Sequence, residues 1–131
     1  MADRIFIEKQ YESLPAYEQI KTYVVQRLIQ LASEAAALQT LLFIRKRNKM
    51  LACTFKSDVL NFYQFLRPKL LQKKEYHELC QTLDYFLYNP TKFTLSDAFA
   101  TLTNLNQFCE DYKLTSTAIW SGQTKSDIYD A

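Results

Sequence analysis

Residues 14–47 have the sequence LPAYEQIKTYVVQRLIQLASEAAALQTLLFIRKR, and the spacing of the apolar residues in this stretch decides the fold class. An apolar residue recurs every three or four positions, at Tyr17, Ile20, Val24, Leu28, Leu31, Ala35, Leu38 and Leu42. Such a stripe lies on one face of an α-helix. The pattern predicts one helix from about residue 14 to 47, with Ser13 as its N-cap and Asn48 closing it in a left-handed conformation.

Three shorter stripes predict three further helices. We expect the second to end or bend at Pro68 and the third to end at Asn89-Pro90. The fourth begins with Thr94 and Asp97, which fit a capping box with Asp in place of Glu. The apolar positions are Leu51, Phe55, Val59, Phe62 and Leu66 in the second, Tyr76, Leu79, Leu83 and Phe86 in the third, and Leu95, Ala98, Leu102, Leu105, Phe108 or Cys109, and Tyr112 in the fourth.

Glycine is almost absent from the chain, and the single one is Gly122. Strand-rich folds need glycine for tight hairpins and bulges, so its scarcity disfavours them. We therefore predict an all-α fold, a single-domain bundle of four to five helices over residues 1–114. A loosely ordered or partner-ordered C-terminal tail is expected over residues 115–131.

The positive charge is concentrated in one segment. Between Arg45 and Lys74 the chain carries nine basic residues and one acid, Asp58, whereas the remainder holds seven basic residues and thirteen acids. A field of one sign attracts a polyanion, so the basic residues are candidate contacts to the phosphates of a nucleic acid. They are Arg45, Lys46, Arg47, Lys49, Lys56, Arg67, Lys69, Lys73 and Lys74. If the segment is helical, Arg45 and Lys49 share a face at a spacing of four residues, and so do Lys69 and Lys73. Placed side by side in a bundle, the two clusters would form one cationic surface.

Aromatic residues offer a second means of holding a nucleic acid. Tyr63, Tyr76 and Trp120 are candidates for stacking on unpaired bases, although such residues in a helical protein mostly belong to the core. The sequence lacks the short turn, often with glycine, that joins the two helices of a base-reading helix-turn-helix. The pattern favours a face that follows a phosphate backbone over one that reads bases.

Several classes of protein are disfavoured by the composition. The apolar runs are far shorter than the roughly 20 residues that span a bilayer, and the acidic N-terminus predicts no secretory signal. Cys53, Cys80 and Cys109 lie far apart and are odd in number, so neither a disulfide framework nor a CxxC metal site is expected. Free thiols indicate a reducing compartment, and we expect a cytoplasmic location.

Catalytic patterns are also missing. His77 and Cys80 stand one helical turn apart, but zinc needs more ligands and the chain has no other histidine. Arg67 is too far along the chain from His77 for the pair that small helical ribonucleases use. The carboxylates Asp84 and Asp97 are available for a two-metal site, although such residues usually cap helices or face water. We expect no enzymatic activity, no metal and no cofactor.

The chain resembles the small subunits of CRISPR effector complexes of the Cascade type. The resemblance rests on the overall character of a short, helical, aromatic-rich chain, with its basic residues in RKRNK at 45–49, Lys56 and KLLQKK at 69–74. It implies a helical bundle that takes part in antiviral defence by holding target or displaced DNA beside a guide RNA. It also implies that other protein subunits, and further copies of the chain, are partners.

The leading hypothesis is therefore a non-catalytic nucleic-acid-binding subunit of a ribonucleoprotein effector complex, with no membrane and no small-molecule substrate as partner. The alternative is a helical protein-interaction adaptor, for instance a phage or plasmid regulator that docks on an acidic protein. The charge pattern fits both hypotheses, because each partner is negatively charged.

Overall fold

The computed structural model describes residues 16–116 and 118–120. This part of the chain contains four α-helices and no strand, so the prediction of an all-α bundle is confirmed. The helices are α1 (Ala16–Phe43), α2 (Lys49–Leu70), α3 (His77–Tyr88) and α4 (Leu95–Asp111), with 3₁₀ turns at Lys74–Tyr76 and Pro90–Lys92. The predicted cap at Ser13 lies outside the described residues.

The apolar stripes form the core, as predicted. Burying one such side chain contributes about 1.5–3 kcal/mol. The fully buried stripe residues of the first two helices are Val24, Leu28, Leu31, Ala35, Leu38, Phe55, Val59, Phe62 and Leu66.

Helix α2 lies at the centre of the bundle and packs against the other three helices. Its ring contacts give the directions of two neighbours: Tyr23 of α1 packs on Phe65 near the C-terminal end, whereas Phe99 of α4 packs on Phe55 near the N-terminal end. α2 ends at Leu70, two residues past Pro68. The predicted boundary at Pro68 is therefore close to the observed one, because a proline in the last turn leaves little helix to disturb.

The end of α1 differs from the predicted one. The helix stops at Phe43, and Arg45 takes the left-handed conformation, with φ 58°. The backbone N–H of Lys46 donates to the carbonyl of Leu41 at 2.8 Å, and that of Arg45 donates to Leu42 at 3.0 Å. These are the two hydrogen bonds of a Schellman motif. Residues 45–47 therefore lie outside the helix that was predicted to contain them.

Asn48 begins α2 and does not close α1, so its predicted role is wrong. Its side-chain oxygen accepts a hydrogen bond from the backbone N–H of Leu51 at 3.0 Å. An asparagine side chain in this position satisfies one of the N–H groups that a helix start leaves unpaired. Two helices thus meet with only a short connection between them.

Helix α4 begins with the predicted capping box, which is confirmed. The Thr94 N–H donates to Asp97 Oδ2 at 3.0 Å, and the Asp97 N–H donates to Thr94 Oγ1 at the same distance. The helix ends in a second Schellman motif, in which Lys113 has φ 59° and the Leu114 N–H donates to the carbonyl of Cys109 at 2.7 Å. Among the described residues, the two non-glycine residues with a left-handed backbone are both basic.

The chain stays packed on the bundle beyond residue 114, where the helical domain was predicted to end. Thr115 and Trp120 are buried, and the Trp120 N–H donates to Asn106 Oδ1 at 3.2 Å. Residues 121–131, which hold most of the predicted tail, lie outside the described residues.

Candidate nucleic-acid interface

The nine predicted contacts fall mainly at the two ends of α2. Lys49 begins this helix of 22 residues and Lys69 stands in its last turn, so the two groups are about 30 Å apart. The expectation of one continuous cationic surface is therefore wrong. The reason is that one continuous helix, α2, lies between the two groups and separates them by its whole length.

We call the first group the basic tip and define it as Arg45, Lys46, Arg47 and Lys49. All of these residues are exposed. None of their side chains forms a hydrogen bond or an ion pair with another described residue. The chain has no acid between Glu34 and Asp58, so neither helix end that carries the tip brings a carboxylate near it along the sequence. Among the residues that the structure describes, no acid opposes the positive charge of the tip.

The backbone of the tip is held in place on both sides. The Schellman motif fixes Arg45 and Lys46 against the last turn of α1, and the Asn48 cap fixes the start of α2. In addition, the Ala52 N–H donates to the Asn48 carbonyl at 3.0 Å. The connection is therefore a structured turn. A ligand that binds it costs the protein less conformational entropy than a ligand that has to order a loose loop.

The basic tip also breaks two local preferences. A non-glycine residue in the left-handed conformation, as at Arg45, costs about 1–2 kcal/mol. Arg47 and Lys49 stand at the start of α2, whose first turn contains no acid, although cations are disfavoured at the positive end of a helix dipole. Conflicts of this kind between local preference and observed sequence are typical of functional sites.

Exposed apolar residues directly precede and follow the tip in the sequence, and we call Phe43, Ile44 and Met50 the apolar collar. Phe43 is 65% exposed, Ile44 is 50% exposed and Met50 is 80% exposed. None of these three residues was predicted as a nucleic-acid contact. Their signal in the sequence is that Phe43, Ile44 and Met50 lie off the buried stripes and directly next to the basic residues.

Lys56 continues from the tip along α2. It lies two helical turns after Lys49, on the same side of the helix and about 10 Å away. Lys56 is half-buried, and no hydrogen bond or ion pair joins it to another described residue. It can therefore extend the positive surface of the tip by one contact.

At the other end of α2, Arg67 is already paired. Its Nε donates to Asp84 Oδ1 at 3.0 Å and its Nη2 donates to Asp84 Oδ2 at 2.9 Å, which joins α2 to α3. The Tyr63 hydroxyl donates to the same carboxylate at 2.6 Å and lies 3.1 Å from the carbonyl oxygen of Cys80. The guanidinium of Arg67 holds the pKa of Asp84 below its usual range. Arg67 is thus a structural residue and not a free phosphate contact.

Lys73 is also engaged by the bundle. Its Nζ lies 4.4 Å from the centroid of the Tyr112 ring, a cation–π contact, and the Tyr112 hydroxyl donates to Glu75 Oε1 at 2.5 Å. The ring of Tyr112 packs in turn on Phe108 of α4. This cluster fastens the chain after α2 to the end of α4, so the charge of Lys73 is partly compensated.

Lys69 and Lys74 are the remaining members of the second group. Lys69 is half-buried in the last turn of α2, where its charge suits the helix dipole, and Lys74 is exposed in the 3₁₀ turn. The expected helical pairing of Lys69 with Lys73 is wrong, because the helix ends at Leu70 between them.

The aromatic residues that were predicted as stacking candidates belong to the core. Tyr63 and Trp120 are buried, and Tyr76 is half-buried against α4, where its ring lies 5.0 Å from that of Phe108. None of these rings offers a free face comparable to that of Phe43. The exposed aromatic residue next to the basic tip in the sequence is Phe43, which the periodicity did not single out.

The candidate catalytic and metal-binding residues have structural contacts. His77 Nε2 donates to the carbonyl of Leu71 at 2.7 Å, Asp84 holds Arg67, and Asp97 caps α4. Burial raises the pKa of the Cys80 thiol. Within residues 16–116 and 118–120, no group of three or more histidine, cysteine or acidic side chains is placed to hold a metal ion.

No protein-family model matches this chain, and neither the curated proteins nor the solved structures contain a significant match. The resemblance to CRISPR small subunits therefore stays a prediction. Among the described helices, none combines the length and the apolar character needed to cross a membrane.

Proposed function

We propose that this protein is a non-catalytic nucleic-acid-binding protein that holds a phosphate backbone on the basic tip. The observation that carries the proposal is the exposure of four unpaired cations on a fixed turn, within a stretch of the chain that has no acid. Phosphate contacts need accessible Lys and Arg side chains and little else, so this arrangement supports binding that is independent of base sequence.

The proposal selects five of the nine predicted phosphate contacts. Arg45, Lys46, Arg47 and Lys49 are the principal ones, and Lys56 is an additional one, because its charge lies on the same side of α2. Arg67 and Lys73 contribute mainly to the fold, since Arg67 is paired with Asp84 and Lys73 lies over the ring of Tyr112. We further propose a cytoplasmic location and a place within a ribonucleoprotein assembly that contains other subunits or copies of this chain. The resemblance stated above supports this wider role.

The test compares two triple variants that remove the same charge from the two ends of the bundle. The tip variant carries Lys46→Ala, Arg47→Ala and Lys49→Ala, and leaves the left-handed residue Arg45 unchanged. The control variant carries Lys69→Ala, Lys73→Ala and Lys74→Ala. Fluorescence anisotropy with a labelled oligonucleotide over a series of salt concentrations measures the affinity of each.

We expect the tip variant to lose affinity on the order of 100-fold at low salt and its salt slope to fall by about 2–3, because up to three phosphate contacts are lost. The control variant should keep most of the affinity. Equal losses in the two variants would show that only the net charge matters, and an unchanged tip variant would refute the proposal. Retention of a stoichiometric acidic protein after nuclease treatment would favour the adaptor hypothesis.

A further inference from the structure

The apolar collar gives the basic tip a second chemistry beside its charge. Phe43, Ile44 and Met50 are each at least half exposed, and they lie directly before and after the cations. Isolated apolar side chains on a surface are ordinary, but these three share one short turn with four unpaired cations. A partner of this turn therefore has to offer both negative charge and an apolar or aromatic face.

The position of the collar is fixed by the same contacts that fix the tip. Phe43 is the last residue of α1, and the Ile44 N–H still donates to the carbonyl of Thr40 at 3.1 Å. Met50 is the second residue of α2, inside the turn that Asn48 caps. The backbone of the collar is therefore held at set places directly before and after the basic residues.

Duplex and single-stranded nucleic acids differ in what they offer to such a surface. In a duplex the base faces are stacked on one another and the outside presents phosphate and sugar, so an exposed apolar side chain finds little apolar surface to pack against. In a single strand the base faces are accessible, and aromatic side chains stack on them with little regard to sequence. Phe43 is the aromatic member of the collar, and its ring is largely free.

We infer that the tip binds unpaired strands, with phosphates on Arg45, Lys46, Arg47 and Lys49 and a base stacked on the Phe43 ring, beside Ile44 and Met50. This inference rests on the proposed function, because it assumes that the cations hold a phosphate backbone. It adds the class of ligand, which is single-stranded DNA or RNA, and a residue that the charge pattern does not contain.

The experiment changes the ring without changing the charge. Phe43→Leu keeps an apolar side chain of similar size but removes the flat face, whereas Phe43→Trp enlarges it. Tyr88→Leu is the control, since Tyr88 is 87% exposed on α3 and its ring is removed in the same way. Each variant is titrated with one labelled oligonucleotide, both alone and annealed to its complement.

We expect the unchanged protein to bind the single strand more tightly than the duplex. Phe43→Leu should weaken single-strand binding by about fivefold or more, the lower end of what one stacked base contributes, and should leave the duplex affinity and the salt slope unchanged. Phe43→Trp should bind the single strand at least as tightly as the unchanged protein. Tyr88→Leu should behave as the unchanged protein does.

Three results would overturn the inference. One is a preference for duplex, and another is a Phe43→Leu variant that binds single strands normally. The third is capture on vesicles that contain phosphatidylserine, without binding to the oligonucleotide, since a membrane accepts a leucine as well as a phenylalanine. If the triple tip variant loses affinity while Phe43→Leu does not, the proposed function stands and only the preference for single strands fails.

Discussion

The two ends of α2 carry similar numbers of basic residues but differ in what those residues contact. At the basic tip, no described side chain is paired with Arg45, Lys46, Arg47 or Lys49. At the other end, Arg67 is held by Asp84 and Lys73 lies over Tyr112. The comparison teaches that a count of charges does not identify a binding site, because a cation that the fold has already paired offers little to a partner.

The backbone shows the same difference. The tip places Arg47 and Lys49 where the dipole of α2 disfavours them, whereas Arg67 and Lys69 stand in the last turn, where cations are favoured. Residues at the second end therefore stabilise the fold by their position and by their partners. The basic residues at the tip stabilise the fold neither by their position nor by a partner among the described residues.

The largest expected effect on stability comes from Asp84→Ala, which breaks the paired end. This change removes both hydrogen bonds from Arg67 and one from Tyr63, and we expect the free energy of unfolding to fall by about 2 kcal/mol. Urea denaturation measures this value. The triple tip variant is the comparison and should change stability by less than about 0.5 kcal/mol. Equal losses in the two variants would contradict the distinction between the ends.

Acid should act on the same end. The pKa of Asp84 is lowered in the folded state, chiefly by the hydrogen bonds from Arg67, so the unfolded chain takes up the proton first as the pH falls. The stabilisation is present above the ordinary aspartate pKa and is lost as the pH falls through the lowered one. Thermal melts between neutral and strongly acidic pH should therefore show a steeper decline in the unchanged protein than in Asp84→Asn.

A second pH dependence is expected from Glu34, the last acid before the basic tip in the sequence. Glu34 of α1 and Asp58 of α2 face one another, and burial together with the Asp58 carboxylate raises the pKa of Glu34 to about 8, despite the opposing charge of Arg27. The folded protein thus keeps a proton that the unfolded chain releases at lower pH. Stability should fall as the pH rises from about 4.5 to about 8, by about 1–2 kcal/mol, because Glu34 lies where water still reaches it.

Glu34→Gln tests this pH dependence, since glutamine cannot be charged. The variant should match the unchanged protein near pH 5, at about the ordinary glutamate pKa, and exceed it in stability at alkaline pH. A decline with pH that persists in Glu34→Gln would assign the effect to another group.

A smaller effect is expected for Tyr63→Phe. The hydroxyl of this buried residue donates to Asp84, and its loss should lower the free energy of unfolding by about 1 kcal/mol. Because Arg67 still holds the carboxylate, the loss should be smaller than in Asp84→Ala. Nucleic-acid affinity should not change, and a change would connect the paired end to binding.

The smallest effect separates stability from binding at one residue. Arg45 and Lys113 both have a left-handed backbone, which glycine adopts without strain, so Arg45→Gly and Lys113→Gly should each stabilise the fold by about 0.5–1 kcal/mol. Arg45→Gly should nevertheless weaken binding to an oligonucleotide, whereas Lys113→Gly should not. Parallel losses of affinity in both variants would argue against a special role for the tip.

Much of the fold could be predicted because it depends on local patterns. The stripe on α1 packs on the core except at Tyr17, which is 53% exposed, and the Thr94–Asp97 capping box is formed by residues three positions apart. The end of α1 was predicted wrongly, because both a left-handed Asn48 and a capping Asn48 are compatible with the sequence around it. The competition between ending one helix and starting the next decided the outcome.

The candidate site could be predicted only in part. The nine basic residues follow directly from the sequence, but the pairing of Arg67 depends on Asp84, which lies 17 residues later on another helix. Similarly, the exposure of Phe43 depends on where α1 ends. Periodicity assigns residues to the faces of a helix, whereas the partner of each face depends on how the helices pack.

The sequence by itself determined that this protein is a helical bundle and that its positive charge lies between Arg45 and Lys74, since periodicity, glycine content and charge are properties of the chain. Only the tertiary structure decided that this charge is divided between two ends of one helix. It also decided that Arg67 and Lys73 at one end contact other side chains, whereas no described residue is paired with the four cations at the other end. The physical reason is that pairing requires atoms distant in sequence to come within about 3 Å of each other, and packing alone brings them there.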